Sequence, residues 1–327
     1  MKKVLVTNSF SKYSDEPMEL LKSNGFEVVK IQEHILSDED EVICKYIDDD
    51  VVATVNGLEP VTQKTLEAAH GLKFITKHGI GLDNIDLPGC KAHGVAVANT
   101  PGANRQAVAD LIVGLMLSLA RQIPAADRSI KSGEWKGFFG TALYGKTLGI
   151  IGMGAIGREV IQRCEGFCMK VVAYDPFWDE EYAAAHNVEC CELDDVLRRA
   201  DYISISLHLT KETHHMIGER EFGLMKPAAY FINCSRGAVA DEEAMVRALQ
   251  NGTIAGAGLD AFTVEPIEAD SPLLKLDNVV LTPHIGFYTD EALTSNSLYA
   301  AQNIIRYFSG NYIVDGKKPN WLAVLPD

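Results

Sequence analysis

The chain has 327 residues, of which 47% are hydrophobic, and its 30 basic and 45 acidic side chains give a formal charge of −15 at pH 7. This length suits two domains, and the composition is that of a globular protein. Because an acidic surface repels phosphate backbones and anionic lipids, we expect neither a nucleic-acid partner nor a membrane partner.

Short apolar stretches alternate with amphipathic stretches along the first hundred residues. Strands are predicted there at residues 4–7, 27–31, 51–55, 73–76 and 95–98. Helical patterns lie between them, at residues 17–23 and 62–70. This alternation predicts a parallel sheet with helices on both faces.

A long helix is predicted at residues 103–121, because apolar residues recur there at helical spacing. The next stretch, residues 122–145, is richer in glycine and aromatic residues, and we expect an arm or a loop. A second alternating series follows, with strands at residues 148–151, 171–174, 202–206, 230–233, 254–258 and 279–281, and a last helix at 291–308. The chain is therefore predicted to be α/β, with two doubly wound parallel-sheet domains.

Gly152, Gly154 and Gly157 form a GxGxxG run between a predicted strand and a helical stretch. In that context the glycines allow a tight turn, close approach of the backbone to a pyrophosphate, and close packing of helix on strand. Backbone N–H groups at the helix start, around Ala155 and Ile156, then hold the phosphates.

Asp175 ends the next strand, 23 residues after Gly152. A carboxylate at this position can accept hydrogen bonds from both adenosine ribose hydroxyls, and it repels a 2′-phosphate. The sequence therefore predicts NAD, and not NADP, as the cofactor.

Three later strand ends carry polar residues, and ligands bind at the carboxyl ends of strands in open α/β sheets. The first holds Arg236, whose planar fork matches a carboxylate; a surface salt bridge with Asp241 or Glu242 is the alternative. The others hold Glu265, just before a proline, and His284. A carboxylate beside a histidine favours the imidazolium, which can exchange a proton with a substrate hydroxyl or ketone.

These motifs resemble the D-2-hydroxyacid dehydrogenase family over the whole chain: Asn-x-x-Arg-Gly at 233–237, Glu-Pro at 265–266 and Thr-Pro-His-Ile-Gly at 282–286. The resemblance implies that Arg236, Glu265 and His284 form a catalytic triad that acts while a hydride moves between nicotinamide and C2 of a small 2-hydroxy acid. Further cofactor contacts implied by it are Leu207, His208, Leu209, Thr213, Cys234, Ser235, Arg236, Asp260, His284 and Gly286.

The resemblance also implies how the domains are arranged. A flavodoxin-like substrate domain, residues 1–102 plus 287–327, would contain an inserted Rossmann NAD-binding domain, residues 103–286, with the active site in the cleft between them. The family is usually dimeric through its cofactor domains, so we expect a homodimer, with residues 135–144 as a contact arm.

The substrate end is expected at residues 77–86, where two glycines interrupt a run of polar and apolar residues. Consecutive N–H groups around such glycines form a nest for an anion. The resemblance implies that Ile80 and Gly81 offer N–H groups to the substrate carboxylate. The other residues expected to bind substrate are Lys77, His78, Gly79, Asn104 and Arg105.

Within the family, the chain is most similar to phosphoglycerate dehydrogenases and hydroxypyruvate reductases. Two positions depart from the phosphoglycerate pattern: Asn56-Gly57 and Lys77 stand where an arginine is often found. The 2-keto acid is therefore left open among 3-phosphohydroxypyruvate, hydroxypyruvate, glyoxylate and branched acids. The alternative function is that of a non-enzymatic NAD(H)-sensing protein. Family members of that class also retain the triad, so the triad does not exclude it.

The seven cysteines are odd in number and lack the paired spacing of zinc sites, so we predict free thiols and no metal site. Free thiols are typical of a reducing compartment. The N-terminal apolar run is too short for a signal peptide, and the longest apolar stretch is about half of what spans a bilayer. We therefore expect a cytoplasmic protein.

Overall fold

The computed structural model describes residues 2–7, 9–31, 40–311, 319 and 322–325. It divides the chain into two compact units. We call Met1–Asn104 with Tyr288–Asp327 the split domain, and Arg105–Phe287 the central domain.

Helices and strands alternate along nearly the whole described chain. The first part of the split domain contains β1 (Lys3–Val6), α1 (Glu16–Ser23), β2 (Glu27–Lys30), α2 (Asp40–Tyr46), β3 (Val51–Asn56), α3 (Gln63–Ala68), β4 (Phe74–Lys77), α4 (Leu87–Ala92) and β5 (Ala96–Ala98). The central domain contains α5 (Arg105–Arg121), α6 (Ile123–Lys131), β6 (Thr147–Ile151), α7 (Ala155–Glu165), β7 (Lys170–Tyr174), α8 (Glu180–Ala185), β8 (Val188–Cys190), α9 (Leu193–Arg199), β9 (Tyr202–Ile205), α10 (Glu219–Leu224), β10 (Tyr230–Asn233), α11 (Glu242–Gln250), β11 (Gly256–Leu259) and β12 (Val279–Leu281). The split domain ends with α12 (Asp290–Phe308) and β13 (Leu322–Val324).

The split domain is built on a six-stranded sheet with the order β13-β5-β4-β3-β1-β2. Strands β1 to β5 are parallel, and β13 pairs antiparallel with β5. On one face α12 packs its Ala300, Ala301 and Ile304 against the sheet. On the other face, Leu66 of α3 and Cys90 of α4 cover the sheet. Both faces are therefore buried, as the apolar sequence of its strands requires.

The central domain has seven parallel strands in the order β12-β11-β10-β9-β6-β7-β8. Helices α5 and α7 contribute to the core on one face, and α9, α10 and α11 contribute to the core on the other. The strand order reverses between β6 and β9. In an open α/β sheet, the crevice at such a reversal is where a ligand binds, at the carboxyl ends of the strands.

The predicted fold class, two doubly wound parallel-sheet domains, is confirmed. The prediction that residues 122–145 contain only an arm or loop is wrong in its first part, because α6 occupies Ile123–Lys131. Gln122 adopts a left-handed conformation that ends α5, and Pro124 fits the first turn of the new helix. No range was predicted for several short elements, among them α2, α4, β8 and β13, since none of these four is long enough to show a clear period.

Among the described residues, no single helix is long and apolar enough to cross a membrane, and α5 and α6 meet that test only as a pair bent by 64°.

A polar patch interrupts the apolar inner face of α12. Asn296, Ser297 and Asn303 are fully buried there. The Nε2 atom of His78, which follows β4, lies 2.9 Å from Ser297 Oγ, and His78 is only 3% exposed. Burial lowers the pKa of His78 from 6.5 to about 4; interaction with the Leu293 carbonyl opposes this shift, and the charge of Lys77 adds to it.

The buried His78 should make the split domain sensitive to acid. Its folded pKa lies below its unfolded value, so the unfolded chain binds the extra proton and stability falls as pH decreases from 6.5 to about 4. The gap corresponds to roughly 3 kcal/mol of unfolding free energy. His78→Gln should flatten that decline, whereas His70→Gln, at an exposed site, should not. Denaturant titrations between pH 4 and 7 measure the difference, and parallel curves for wild type and His78→Gln would contradict it.

Candidate active site

The glycine loop joins β6 to α7 in the central domain. Gly152 has a φ of +97°, and a Cβ added there would lie 2.6 Å from Ser206 O. A Cβ on Gly157 would lie 2.3 Å from Gly152 O, so α7 begins closer to β6 than a side chain permits. A Cβ on Gly154 would meet no atom of the described structure within 4 Å. The loop is thus tightly packed at Gly152 and Gly157 and open at Gly154, which fits the approach of a pyrophosphate.

The carboxylate of Asp175 ties this loop to the end of β7. Its Oδ2 accepts a hydrogen bond from Met153 N at 2.6 Å, and its Oδ1 accepts one from Phe177 N at 2.7 Å. The side chain is partly exposed, and each oxygen keeps a lone pair for a further donor. This position fits the ribose hydroxyls of an adenosine.

Arg158, which the sequence reasoning missed, holds the carbonyl of Met153, the residue whose N–H is bound by Asp175. Its Nε donates to Met153 O at 3.1 Å, and its Nη2 donates to Asp179 Oδ2 at 2.8 Å. The guanidinium lies 4.4 Å from the centre of the Tyr182 ring. Charged side chains therefore hold both the N–H and the carbonyl of Met153. The signal in the sequence that could have indicated this role is the position of Arg158, directly after Gly157, the last glycine of the GxGxxG run.

The loop after β9 closes on itself through Thr213. Its Oγ1 donates to His208 O at 2.6 Å and accepts from Thr210 N at 2.8 Å. The side chain of Leu207 reaches the glycine loop, since a Cβ on Gly152 would lie 2.9 Å from Leu207 Cδ2. His208 is exposed. The predicted cofactor-flanking loop thus begins beside the predicted phosphate loop.

Asn233 ends β10 and organises the turn that carries Arg236. Its Oδ1 accepts from Ser235 N at 2.9 Å and from Ser235 Oγ at 2.7 Å, and its Nδ2 donates to Arg236 O at 2.8 Å. Arg236 is half-buried, and its Nη1 donates to Ser235 O at 2.9 Å. Burial, with the charge of Asp260 adding to it, raises the pKa of Cys234 well above its ordinary value, so this thiol stays protonated.

The two alternative partners of Arg236 serve other backbone groups. Asp241 Oδ1 caps α11 by accepting from Ala244 N at 3.0 Å. Glu242 Oε2 accepts from Thr263 N at 3.2 Å. These contacts fix the start of α11 and the loop after β11.

Asp260 follows β11 and binds the loop that follows β12. Its Oδ1 accepts from Thr282 Oγ1 at 2.6 Å and from Ile285 N at 2.8 Å, and its Oδ2 accepts from Gly286 N at 2.8 Å. Burial raises the pKa of Asp260, while these three donors and the charge of His284 oppose the shift. With 1% exposure, Asp260 is less accessible than we expected of a residue that contacts the cofactor.

His284 and Glu265 form a hydrogen-bonded pair between the loops after β12 and β11. His284 Nδ1 lies 2.7 Å from Glu265 Oε2, and Glu265 Oε1 accepts from Phe262 N at 2.9 Å. Burial raises the pKa of Glu265, but His284, the Phe262 amide and the charge of Arg236 together bring it below its ordinary value. Because an ionised carboxylate only accepts hydrogen bonds, Nδ1 carries the proton of this bond. Nε2 is then the ring nitrogen that can exchange a proton with a ligand.

The turn of Arg236 lies directly against the loop of Glu265. A Cβ on Gly237 would lie 2.0 Å from the carbonyl carbon of Phe262. The central domain therefore brings Arg236, Glu265 and His284 to one end of its sheet.

The predicted substrate residues of the split domain are arranged differently from our expectation. Lys77 Nζ donates to Gly57 O and, at 2.6 Å, to Asn84 Oδ1. His78 is buried against Ser297. Both side chains are thus bound within their own domain. Lys77 ends β4, which is buried along its whole length, so neither side chain has the exposed position that binding the phosphate of 3-phosphohydroxypyruvate would require.

The other predicted substrate residues lie in and beyond the turns that follow β4 and β5. Gly79, Ile80 and Gly81 are partly exposed. Asn104 Oδ1 is buried without a hydrogen-bond partner in the part of the chain that the structure describes. Arg105, at the start of α5 in the central domain, places its Nε 3.0 Å from Glu159 Oε1.

Comparison with known proteins identifies the central part of the chain. Residues 113–286 match the model of the D-isomer specific 2-hydroxyacid dehydrogenase, NAD binding domain. The chain is 44% identical to the glyoxylate reductase of Thermococcus litoralis, over 77% of this chain and 78% of that protein.

Two further similarities extend over most of the chain. The D-3-phosphoglycerate dehydrogenase of Methanocaldococcus jannaschii is 42% identical over 83% of this chain, which spans only about half, 52%, of that relative. The solved structure of D-lactate dehydrogenase from Aquifex aeolicus, complexed with NAD and lactic acid, superposes with a TM-score of 0.78 at 30% identity, covering 94% of this chain and 96% of that one. The chain belongs to the D-isomer specific 2-hydroxyacid dehydrogenase family, and its central domain is the NAD-binding domain of that family.

Proposed function

We propose that the protein is an NAD-dependent oxidoreductase that interconverts a small 2-keto acid and the corresponding 2-hydroxy acid. The observation that carries this proposal is the His284–Glu265 hydrogen bond of 2.7 Å beside the turn of Arg236. The pair lies in a domain whose glycine loop fits a dinucleotide. An acid–base pair, a carboxylate-binding arginine and a hydride-carrying cofactor are together what this reaction needs.

Each member of the triad has one proposed role. Nicotinamide, when bound, supplies the hydride that C2 gains in reduction or accepts the hydride that C2 loses in oxidation. Arg236 binds the C1 carboxylate through its planar guanidinium. His284 gives a proton from Nε2 to the C2 oxygen in reduction and takes it back in oxidation. The ionised Glu265 stabilises the charged imidazole and fixes its orientation.

The cofactor would be held by the residues that the sequence singled out. The backbone of Gly152, Gly154, Ala155, Ile156 and Gly157 would bind the pyrophosphate, and Asp175 the adenosine ribose. The walls of the site would come from Leu207, His208, Leu209, Thr213, Cys234, Ser235 and Gly286. The buried Asp260 would act on the nicotinamide side by holding the loop of His284.

The substrate that we propose is a 2-keto acid without a distal phosphate, such as glyoxylate or hydroxypyruvate. Lys77 and His78 are engaged inside the split domain, and Arg105 pairs with Glu159. These are the basic groups among the residues expected to bind substrate, and a distal phosphate would need one of them. The similarity to a protein named glyoxylate reductase supports the smaller acid, and the similarity to a phosphoglycerate dehydrogenase makes 3-phosphohydroxypyruvate the second candidate.

We further propose that the protein acts as a cytoplasmic homodimer. The segment after α6 carries Trp135 and Phe139, which are 96% and 95% exposed. Aromatic side chains this exposed on one segment are typical of a protein interface, and a second copy of the chain is the partner that we propose. All seven cysteines have free thiols, which suits a reducing compartment.

A keto-acid panel tests the activity and the substrate class together. NADH oxidation should be measured with glyoxylate, hydroxypyruvate, pyruvate, a branched 2-keto acid and 3-phosphohydroxypyruvate. We expect turnover, with kcat/KM for glyoxylate or hydroxypyruvate at least about tenfold above that for 3-phosphohydroxypyruvate. No turnover with any acid would contradict the enzyme proposal and favour an NAD(H)-sensing protein; preference for the phosphorylated acid would contradict the substrate class.

His284→Ala should separate proton transfer from cofactor binding. Removing the proton donor should lower kcat about 100-fold or more. The dissociation constant of NADH, measured by fluorescence, should change by no more than about twofold. His186→Ala is the matched control, because His186 also forms a 2.7 Å pair with a glutamate, Glu165, elsewhere in the same domain. Equal losses of turnover and NADH binding in His284→Ala would argue against proton transfer.

Asp175→Asn should weaken discrimination against NADPH. The variant removes the charge that repels a 2′-phosphate, so the ratio of kcat/KM for NADH to that for NADPH should fall about tenfold or more. Because the amide nitrogen cannot accept from Met153 N or Phe177 N, affinity for NADH should fall as well. Asp195→Asn controls for net charge at an exposed site. An unchanged NADH to NADPH ratio would remove Asp175 from cofactor choice.

A further inference from the structure

Two successive carbonyl groups after β4 are fixed by a single dipeptide. Gly79 O accepts a hydrogen bond from Thr100 N at 3.0 Å and lies 3.1 Å from Thr100 Oγ1, whose single proton it shares with Asn296 Oδ1. Ile80 O accepts one from Asn99 Nδ2 at 2.9 Å. Both carbonyls therefore face the Asn99-Thr100 segment that follows β5.

Fixing these carbonyls also fixes the N–H groups of the same peptide units. A peptide bond is planar and trans, so the N–H of Ile80 points opposite to Gly79 O, and the N–H of Gly81 points opposite to Ile80 O. Neither N–H donates to a protein acceptor among the residues that the structure describes. Gly79 has a φ of +148°, which few other residues adopt. Two neighbouring N–H groups are thus turned away from Asn99-Thr100, the arrangement that holds an anion.

The dipeptide is itself held by α12. Thr100 Oγ1 lies 2.7 Å from Asn296 Oδ1, and Asn303 Nδ2 donates to Asn99 O at 2.9 Å. Thr100, Asn296 and Asn303 are fully buried. Asn296 Nδ2 and Asn303 Oδ1 have no hydrogen-bond partner within the described ranges. Burying polar atoms that are only partly satisfied destabilises a fold, so packing alone does not account for two asparagines on this face.

We propose that Asn99 and Thr100 are positioning residues for the substrate carboxylate, and that Asn296 and Asn303 hold them in place from α12. This inference rests on the proposed function, because it takes the anion at Ile80 and Gly81 to be the carboxylate of a 2-keto acid. The four side chains act through the backbone and do not touch the ligand. Their effect is to orient two donors before the carboxylate arrives, which lowers the cost of ordering the loop on binding.

The probe for this inference is oxamate, a non-reactive mimic of a 2-keto acid. In the wild-type protein with NADH, oxamate should shift the amide NMR signals of Ile80 and Gly81. Thr100→Val removes the hydroxyl but keeps the shape and the backbone N–H. It should weaken oxamate binding about tenfold, measured by calorimetry, with the NADH dissociation constant unchanged. Thr100→Ser should restore oxamate affinity.

Two further variants sharpen the test. Thr54→Val is the matched control, since Thr54 is also buried and bonds to another side chain, Asn56, away from the loop carbonyls. Asn99→Ala releases Ile80 O only, so it should diminish the oxamate shift of Gly81 more than that of Ile80. This variant also serves if Thr100→Val does not fold.

The outcomes separate this inference from the proposed function. Unmoved Ile80 and Gly81 signals in the wild type, or equal loss of oxamate affinity in Thr100→Val and Thr54→Val, would overturn the inference. Oxamate shifts at both amides with no turnover of any 2-keto acid would support the positioning role and contradict the proposed function.

Discussion

The buried carboxylate of Asp260 is the constraint on which the proposed active site depends. It receives hydrogen bonds from Thr282, Ile285 and Gly286, the residues on either side of His284. His284 itself has a φ of +53°, a conformation that a non-glycine residue adopts at some cost in energy. The cost is sustained because the flanking residues are fixed by a buried group. Three donors offset the burial of Asp260, and the histidine ring is thereby directed at Glu265.

The two domains share one structural principle at the loops where we propose that ligands bind. In the central domain, Asp175 and Arg158 hold the N–H and carbonyl of Met153 and so shape the glycine loop. In the split domain, Asn99 and Thr100 hold the carbonyls of Ile80 and Gly79. In both cases side chains hold backbone groups of the loop by hydrogen bonds and so fix the orientation of its peptide units. The N–H donors of peptide units held in this way need little reorganisation when an anion binds, which is the property that electrostatic preorganisation requires.

Much of the central domain could be predicted from the sequence, because its signals are local. The GxGxxG run fixes a turn by steric need, and Asp175 follows at the distance that one helix and one strand impose. The predicted triad residues follow strands whose carboxyl ends meet at one edge of the sheet. The existence of the Glu265–His284 contact was therefore predictable, although its geometry was not.

The split domain was harder to predict, because its decisive contacts are distant in sequence. Lys77 beside two glycines looks like a ligand-binding residue, yet Gly57 and Asn84 satisfy its ammonium group. The buried pair of Thr100 with Asn296 and the partly buried pair of Asn99 with Asn303 join residues about two hundred positions apart. From a single sequence, polar residues in a helical pattern are predicted to face the solvent. Only packing reveals that α12 turns Asn296 and Asn303 inward.

The two backbone hydrogen bonds of Asp175 also bear on how cofactor preference can change during evolution. Asp175, to which we assign the choice of NAD in our proposal, is the same residue that shapes the turns at Met153 and Phe177. A substitution toward NADP would remove acceptors from two N–H groups at the same time as it removes the charge. A successful change would therefore need a second substitution that supplies a new acceptor, and the two would be non-additive. Cofactor preference in this chain is therefore coupled to the order of the glycine loop, and the residue at position 175 cannot vary freely.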